Sequence, residues 1–127
     1  MFLVDTHLLL WAAFEPSRLS SKATKALQSR EVPLMFSLAS LWEVAIKTSL
    51  GRPDFSVKPG LLQRALLTEG FVELPIRAAD LARVAVLPWV HRDPFDRLLV
   101  AQAVEEKLTL LTVDAKLRRY GRFVKLI

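Results

Sequence analysis

Short apolar runs alternate with longer amphipathic stretches from one end of the chain to the other. Phe2-Leu3-Val4, Leu34-Met35-Phe36, Phe71-Val72-Glu73-Leu74, Leu108 through Val113 and Phe123-Val124-Lys125-Leu126 each have the length and composition of a strand. The stretches between them carry helix signals. His7 to Phe14 reads as an apolar helix ended near Pro16, and Ser20 or Ser21 caps a second helix to about Arg30, with Ala23, Ala26 and Leu27 as its buried stripe. Ser37 or Ser40 caps a third that runs through Leu41 to Lys47 and stops at Gly51. Gly51 to Gly60 holds two prolines and two glycines and reads as a loop, followed by helical Leu61 to Thr68. Pro75 turns the chain into a helix over Arg77 to Val86, closed by Pro88. Asp93 followed by Pro94 then opens the helix that continues to Ala103, because Asp satisfies free N–H groups and Pro tolerates the first helical position.

Strands alternating with helices predict an α/β fold: a central parallel sheet of about four to five short strands with helices on both faces, three layers in all, as one domain over residues 1–127. Ligands of such sheets sit beyond the carboxyl ends of the strands. Asp5 and Asp114 end strands, while Glu43 and Asp96 are expected in the first turns of helices entering from the same edge. Four carboxylates therefore converge on one rim.

Composition narrows the setting. The chain has no cysteine, which excludes disulfides and thiolate metal sites and fits a reducing compartment. No window approaches the roughly 20 apolar residues of a membrane span, so a cytoplasmic protein is expected. The net charge of +5 is unevenly spread: the first 115 residues are balanced, and the excess comes from Lys116, Arg118, Arg119, Arg122 and Lys125. That basic end suits a polyanion or, equally, a solvated tail. The hydrophobic share of 52% leaves apolar surface for another subunit or partner to cover.

Four ionised carboxylates at close range repel one another unless a cation sits among them, and oxygen-only ligands select a hard ion, Mg²⁺ or Mn²⁺. Such ions activate water and offset charge in phosphodiester hydrolysis. The helix N-terminus is expected to hold Asp96 ionised, and Thr112 is placed to orient a carboxylate or the attacking water. Each acid also has a plainer reading. Asp96 would close a capping box with Asp93, Glu43 one with Ser40 while pairing with Lys47, and Asp5 and Asp114 would begin turns. Asp93 is assigned to capping. His7 and His91 lack a second soft ligand at metal spacing and read as packing or surface residues. Arg92 and Arg97 flank the rim as phosphate-steering or solvated groups, and Trp11, Trp42 and Trp89 read as core.

Asp5-Thr6-His7-Leu8-Leu9-Leu10-Trp11, Ala39 through Lys47, His91 through Ala103 and Leu108 through Asp114 together resemble PIN-domain nucleases, and among them the VapC-type toxins of bacterial toxin–antitoxin pairs. The third segment is the most specific. The resemblance implies a compact α/β/α fold, Mg²⁺- or Mn²⁺-dependent endoribonuclease activity on an RNA substrate, a cognate antitoxin and a homodimer. It places Asp5, Glu43, Asp96 and Asp114 on the acidic positions and Thr112 on the hydroxyl position. Two other classes compete. A phosphatase of the haloacid dehalogenase type needs a second Asp two residues after the first, where this chain has His7. A non-catalytic RNA-binding module would have no reason to keep all four acids, whereas a receiver-like domain would want its phosphorylated Asp after a middle strand and a Lys near the end.

Overall fold

Both faces of the sheet are apolar, and the strands show why. In β1 (Phe2–Val4) Leu3 packs into one core and Val4 into the other; in β4 (Thr109–Thr112) Leu110 and Leu111 divide the same way. A strand covered on both sides reads as a continuous apolar run, as these do. With β2 (Leu34–Ser37), β3 (Val72–Leu74) and β5 (Val124–Leu126) they make a five-stranded, fully parallel sheet in the order β3-β2-β1-β4-β5. The computed structural model describes residues 1–29 and 31–127, so the expected helix end at Arg30 lies outside the described residues.

Helices fill the connections: α1 (Thr6–Phe14), α2 (Ser21–Gln28), α3 (Leu38–Ser49), α4 (Pro59–Thr68), α5 (Ala78–Val86) and α6 (Pro94–Glu105), with 3-10 turns over Pro16–Arg18 and Ala115–Tyr120. One core joins Leu3, Leu74, Leu99, Ala103, Leu110 and Leu117, the other Val4, Leu8, Phe36, Leu62, Leu66 and Leu111. The result is the three-layer α/β/α arrangement, with five strands against the four to five expected.

The strand order fixes where a ligand would go. The chain builds β1, β2 and β3 outward in one direction, then returns to place β4 and β5 on the other side of β1. The carboxyl ends of β1 and β4 therefore flank the switch point, the crevice in which open α/β sheets bind ligands. Asp5 directly follows β1, and Asp114 lies two residues beyond β4.

One element differs from expectation in a way that moves a functional residue. Ser37, not Ser40, caps α3, its hydroxyl accepting from the N–H of Ala39 at 2.9 Å. Glu43 consequently lies in the second turn of α3 rather than the first, and no capping box with Ser40 exists. Ser40 turns inward instead and accepts from the Thr6 hydroxyl at 2.9 Å.

Candidate metal centre

Asp5 is buried and does two things at once. As N-cap of α1 it accepts from the N–H of Leu8 at 3.0 Å through Oδ1, while Oδ2 accepts from the hydroxyl of Thr112. The same Thr112 Oγ1 accepts from the N–H of Asp114 at 3.0 Å. A hydroxyl can donate and accept together, so Thr112 ties the carboxylate after β1 to the backbone that carries the one after β4. Asp114 accepts in turn from the N–H of Lys116 at 2.9 Å and starts the 3-10 turn that follows.

Asp93 caps α6 as expected, accepting from the N–H groups of Phe95 at 2.8 Å and Asp96 at 3.1 Å. The reciprocal half of a capping box is missing. The Asp93 N–H that Asp96 would accept donates to Nδ1 of His91 at 3.1 Å, and this leaves the Asp96 carboxylate free to face the rim.

His91 is the residue that sequence reasoning misplaced. It is neither packing nor surface: its Nε2 lies 2.8 Å from Asp114 Oδ2 and 3.7 Å from Asp96 Oδ2, and the three side chains bring potential ligand atoms within 4.8 Å of one another. The bonds also set its chemistry. Because Nδ1 accepts from a backbone N–H it carries no proton, so Nε2 carries one and donates it to Asp114. A nitrogen holding a proton has no lone pair for an ion. His91 is thus built to orient a carboxylate rather than to bind metal itself. The sequence signals were its place just ahead of the Asp93-Pro94 cap and at the head of the segment His91 through Ala103.

Glu43 is 3% exposed. Its Oε2 pairs with Lys47 Nζ at 2.7 Å, whereas its Oε1 is buried with no hydrogen-bond partner among the described residues. A buried carboxylate oxygen without a donor is costly and unusual.

The electrostatics agree. Burial, then the neighbouring carboxylates of Asp93, Glu43 and Asp5, push Asp96 up to about 7, against a smaller opposing pull from His91. This overturns the expectation that the helix N-terminus keeps Asp96 ionised: desolvation and like charge outweigh the helix end. Burial likewise raises Asp5, despite its bonds from Leu8 and Thr112. Burial opposes ionisation of Asp114 too, but the Lys116 N–H and His91 bonds prevail and hold it below the ordinary value. Such strained acids, an orphaned buried oxygen and an all-oxygen donor set fit a hard divalent cation.

Two further sequence expectations are corrected. Arg97 does not steer phosphates; it is buried, with Nη1 donating to the Pro88 carbonyl at 2.9 Å and to the Tyr120 hydroxyl at 3.2 Å, and Nη2 to the Val84 carbonyl at 3.1 Å. Two of the three tryptophans are not core: Trp42 is 53% and Trp89 81% exposed, Trp42 meeting Phe95 edge-on and Trp89 lying over the Arg97 guanidinium at 4.0 Å. Trp11 is half-buried.

The chain resembles several known proteins. The PIN domain family model matches residues 2–123. Ribonuclease VapC22 of Mycobacterium tuberculosis (strain ATCC 25618 / H37Rv) is 31% identical over 119 residues, 93% of this chain and 90% of that protein. Two solved structures share the fold. One is VapBC2 from Rickettsia felis bound to a DNA fragment from its promoter, with a TM-score of 0.70 at 17% identity over 99% of this chain and 96% of the other. The second, a toxin–antitoxin complex from Klebsiella pneumoniae, gives a TM-score of 0.66 at 20% identity over 98% and 96%.

Proposed function

The chain belongs to the PIN domain family, among its VapC-type proteins, and from that premise we propose that it is the toxin of a toxin–antitoxin pair, an endoribonuclease that hydrolyses RNA phosphodiester bonds with Mg²⁺ or Mn²⁺. The observation that carries this reading is the acid rim at the β1/β4 switch point, where Asp96 is pushed up to about 7 and Glu43 Oε1 is left without a donor. Asp5, Glu43, Asp96 and Asp114 would hold the ion. Once bound, it supplies acidification of water and counter-charge for the phosphoryl transition state.

The remaining residues arrange these four. Thr112 keeps Asp5 and the Asp114 backbone in register. His91 holds its Nε2 proton against Asp114, Asp93 frees the Asp96 carboxylate by taking the capping role, and Lys47 restrains one oxygen of Glu43. Fixing ligand orientation in this way is what partners behind a metal site do. An antitoxin partner is supported by the toxin–antitoxin complex whose fold the chain shares, and a second copy of the chain by the exposed apolar residues Leu81, Val86 and Trp89 around the end of α5.

The test is incubation of total RNA with the purified protein, freed of any partner, with Mg²⁺ or Mn²⁺ and with chelator, beside Asp5→Asn. Discrete fragments that require the ion and vanish in the variant are expected. RNA that is bound but left intact by folded, ion-supplied protein would make the chain a binding module instead.

His91 offers a second test. Gln places a donor near the position of Nε2, whereas Leu places none. His91→Leu is expected to weaken Mn²⁺ binding by about 10- to 100-fold, with His91→Gln recovering most of the loss, both read by calorimetric titration. If instead the nitrogen binds the ion, Mn²⁺ bound to the unmutated protein will show direct ¹⁴N coupling in pulsed electron paramagnetic resonance.

A further inference from the structure

Beside the acid rim lies a cavity of about 410 Å³, bounded by α1, α3 and the connection 52–57. It adjoins the rim at two points. Thr6 follows Asp5 directly, and Lys47 reaches from the cavity wall to the Glu43 carboxylate at 2.7 Å. The connection is tied to α3 where the Thr48 hydroxyl donates to the Val57 carbonyl at 2.6 Å.

The lining combines two kinds of group. Trp11, Phe14 and Phe55 supply aromatic surface, and Arg18, Lys47 and Arg52 supply positive charge. The Arg18 guanidinium sits 5.1 Å from the centre of the Trp11 ring, so ring and cation form one platform. Of the two acids in the wall, Glu15 is paired with Arg18 at 3.4 Å, and Asp54 is the other. Aromatic faces for unstacked bases beside cations for the backbone are how proteins hold single-stranded nucleic acid. The volume lies within the range of small-ligand sites, enough for about one nucleotide. A second hollow, between α1, α2 and α4, is different: Leu19, Leu27, Leu66 and Phe71 line it, and no basic residue among the described ones does.

We propose that the α1/α3 cavity seats an RNA nucleotide next to the scissile phosphate, with Trp11 and Phe55 against the base and Arg52 and Lys47 towards the backbone. The proposal rests on the ribonuclease reading and adds the place where base preference is set.

The experiment measures binding of a fluorescent single-stranded RNA octamer of mixed sequence to the Asp96→Asn protein in chelator, with Trp11→Leu or Arg52→Gln added. Loss of a stacking partner is expected to weaken affinity by about 10- to 100-fold for Trp11→Leu. For Arg52→Gln the slope of log affinity against log salt should fall by about 0.7, one phosphate contact on a single strand. In the cleaving protein the same changes should raise KM, with kcat held within about threefold. Arg52 is exposed, so its variant keeps the test decisive if Trp11→Leu does not fold. Unchanged RNA affinity in folded variants overturns the cavity assignment while leaving the ribonuclease reading intact, and weakened capture of the cognate antitoxin alone would give the cavity to that protein. Failure of the parent to bind RNA, with no cleavage by the unmutated chain, would instead remove the ribonuclease reading itself.

Discussion

Asp96→Asn is expected to abolish RNA cleavage and, at the same time, to stabilise the metal-free protein at alkaline pH. The first effect follows from the proposed reading, in which Asp96 is a charged ligand of an ion that would supply several kcal/mol to the transition state, so that its loss costs at least about 100-fold in rate. The second follows from the raised pKa. Folded and metal-free, Asp96 keeps its proton up to about 7, while the unfolded chain gives it up near 3.8. Its contribution to stability is therefore full below about 3.8 and is lost as pH rises through 7. By pH 8 the loss reaches about 2–4 kcal/mol. Asp5, raised by burial, acts in the same direction. Asp114, held low, acts oppositely but only in acid below its ordinary range. Thermal melts of the metal-free protein from pH 5 to 8 should thus fall in the unmutated chain and flatten in the variant, and Mg²⁺ or Mn²⁺ should restore stability at pH 8 chiefly in the former. Equal slopes for the two proteins would mean that Asp96 is not the strained acid. Retained cleavage would remove it from the site.

Arg97→Ala is expected to cost about 3 kcal/mol of folding stability and to disable the site without touching an acid. The guanidinium is buried and its donors satisfy the carbonyls of Val84 and Pro88 and the Tyr120 hydroxyl. Truncation takes a charged donor from each of those acceptors, at about 1 kcal/mol or more apiece, and leaves them only the weaker neutral donors, the Leu87 N–H on Val84 and the Val90 N–H and Tyr120 hydroxyl on Pro88. It also releases the turn between α5 and α6, in which His91 stands three residues after Pro88. Arg97→Lys should recover only part of the loss, because a single ammonium cannot reach along the fork of a guanidinium. Urea unfolding reads the first effect as a shift in midpoint at constant slope. A change below 1 kcal/mol would show that the guanidinium is solvated in the free protein.

The layered parallel sheet and the gathering of acids were legible because both depend on local pattern. Apolar runs of three to six residues announced the strands, and the positions of Asp5 and Asp114 after strands and of Asp96 at a helix start gave their side of the sheet, whereas Glu43 lies a turn deeper in α3 than expected. What stayed hidden depends on partners distant in sequence. Two serines compete to cap α3, and Ser37 takes that role while Ser40 meets Thr6, 34 residues away. His91 acquires its function from Asp114, 23 positions on, and from a backbone N–H that Asp96 would have claimed in a regular capping box. Arg97 looks solvated in the sequence because burial of a charge is rare; only the turn folded over it supplies the carbonyls. Trp89 reads as core by its type, yet it serves as an exposed cover for that arginine.

The strand order has a consequence for how the molecule comes into being. β1 is made first, but the neighbour that completes its far edge is β4, and the bond from Thr112 to Asp5 spans 107 residues. Parallel strands so far apart pair late, because the whole intervening loop must be closed before the contact forms. During translation Asp5 and Glu43 emerge long before Thr112 and Asp114 exist. A ribosome-bound chain therefore carries half of an acid rim and nothing to align it. If the completed protein cuts RNA, its unfinished copies do not, and the interval before β4 docks is one in which the nascent chain cannot damage the machinery that is making it.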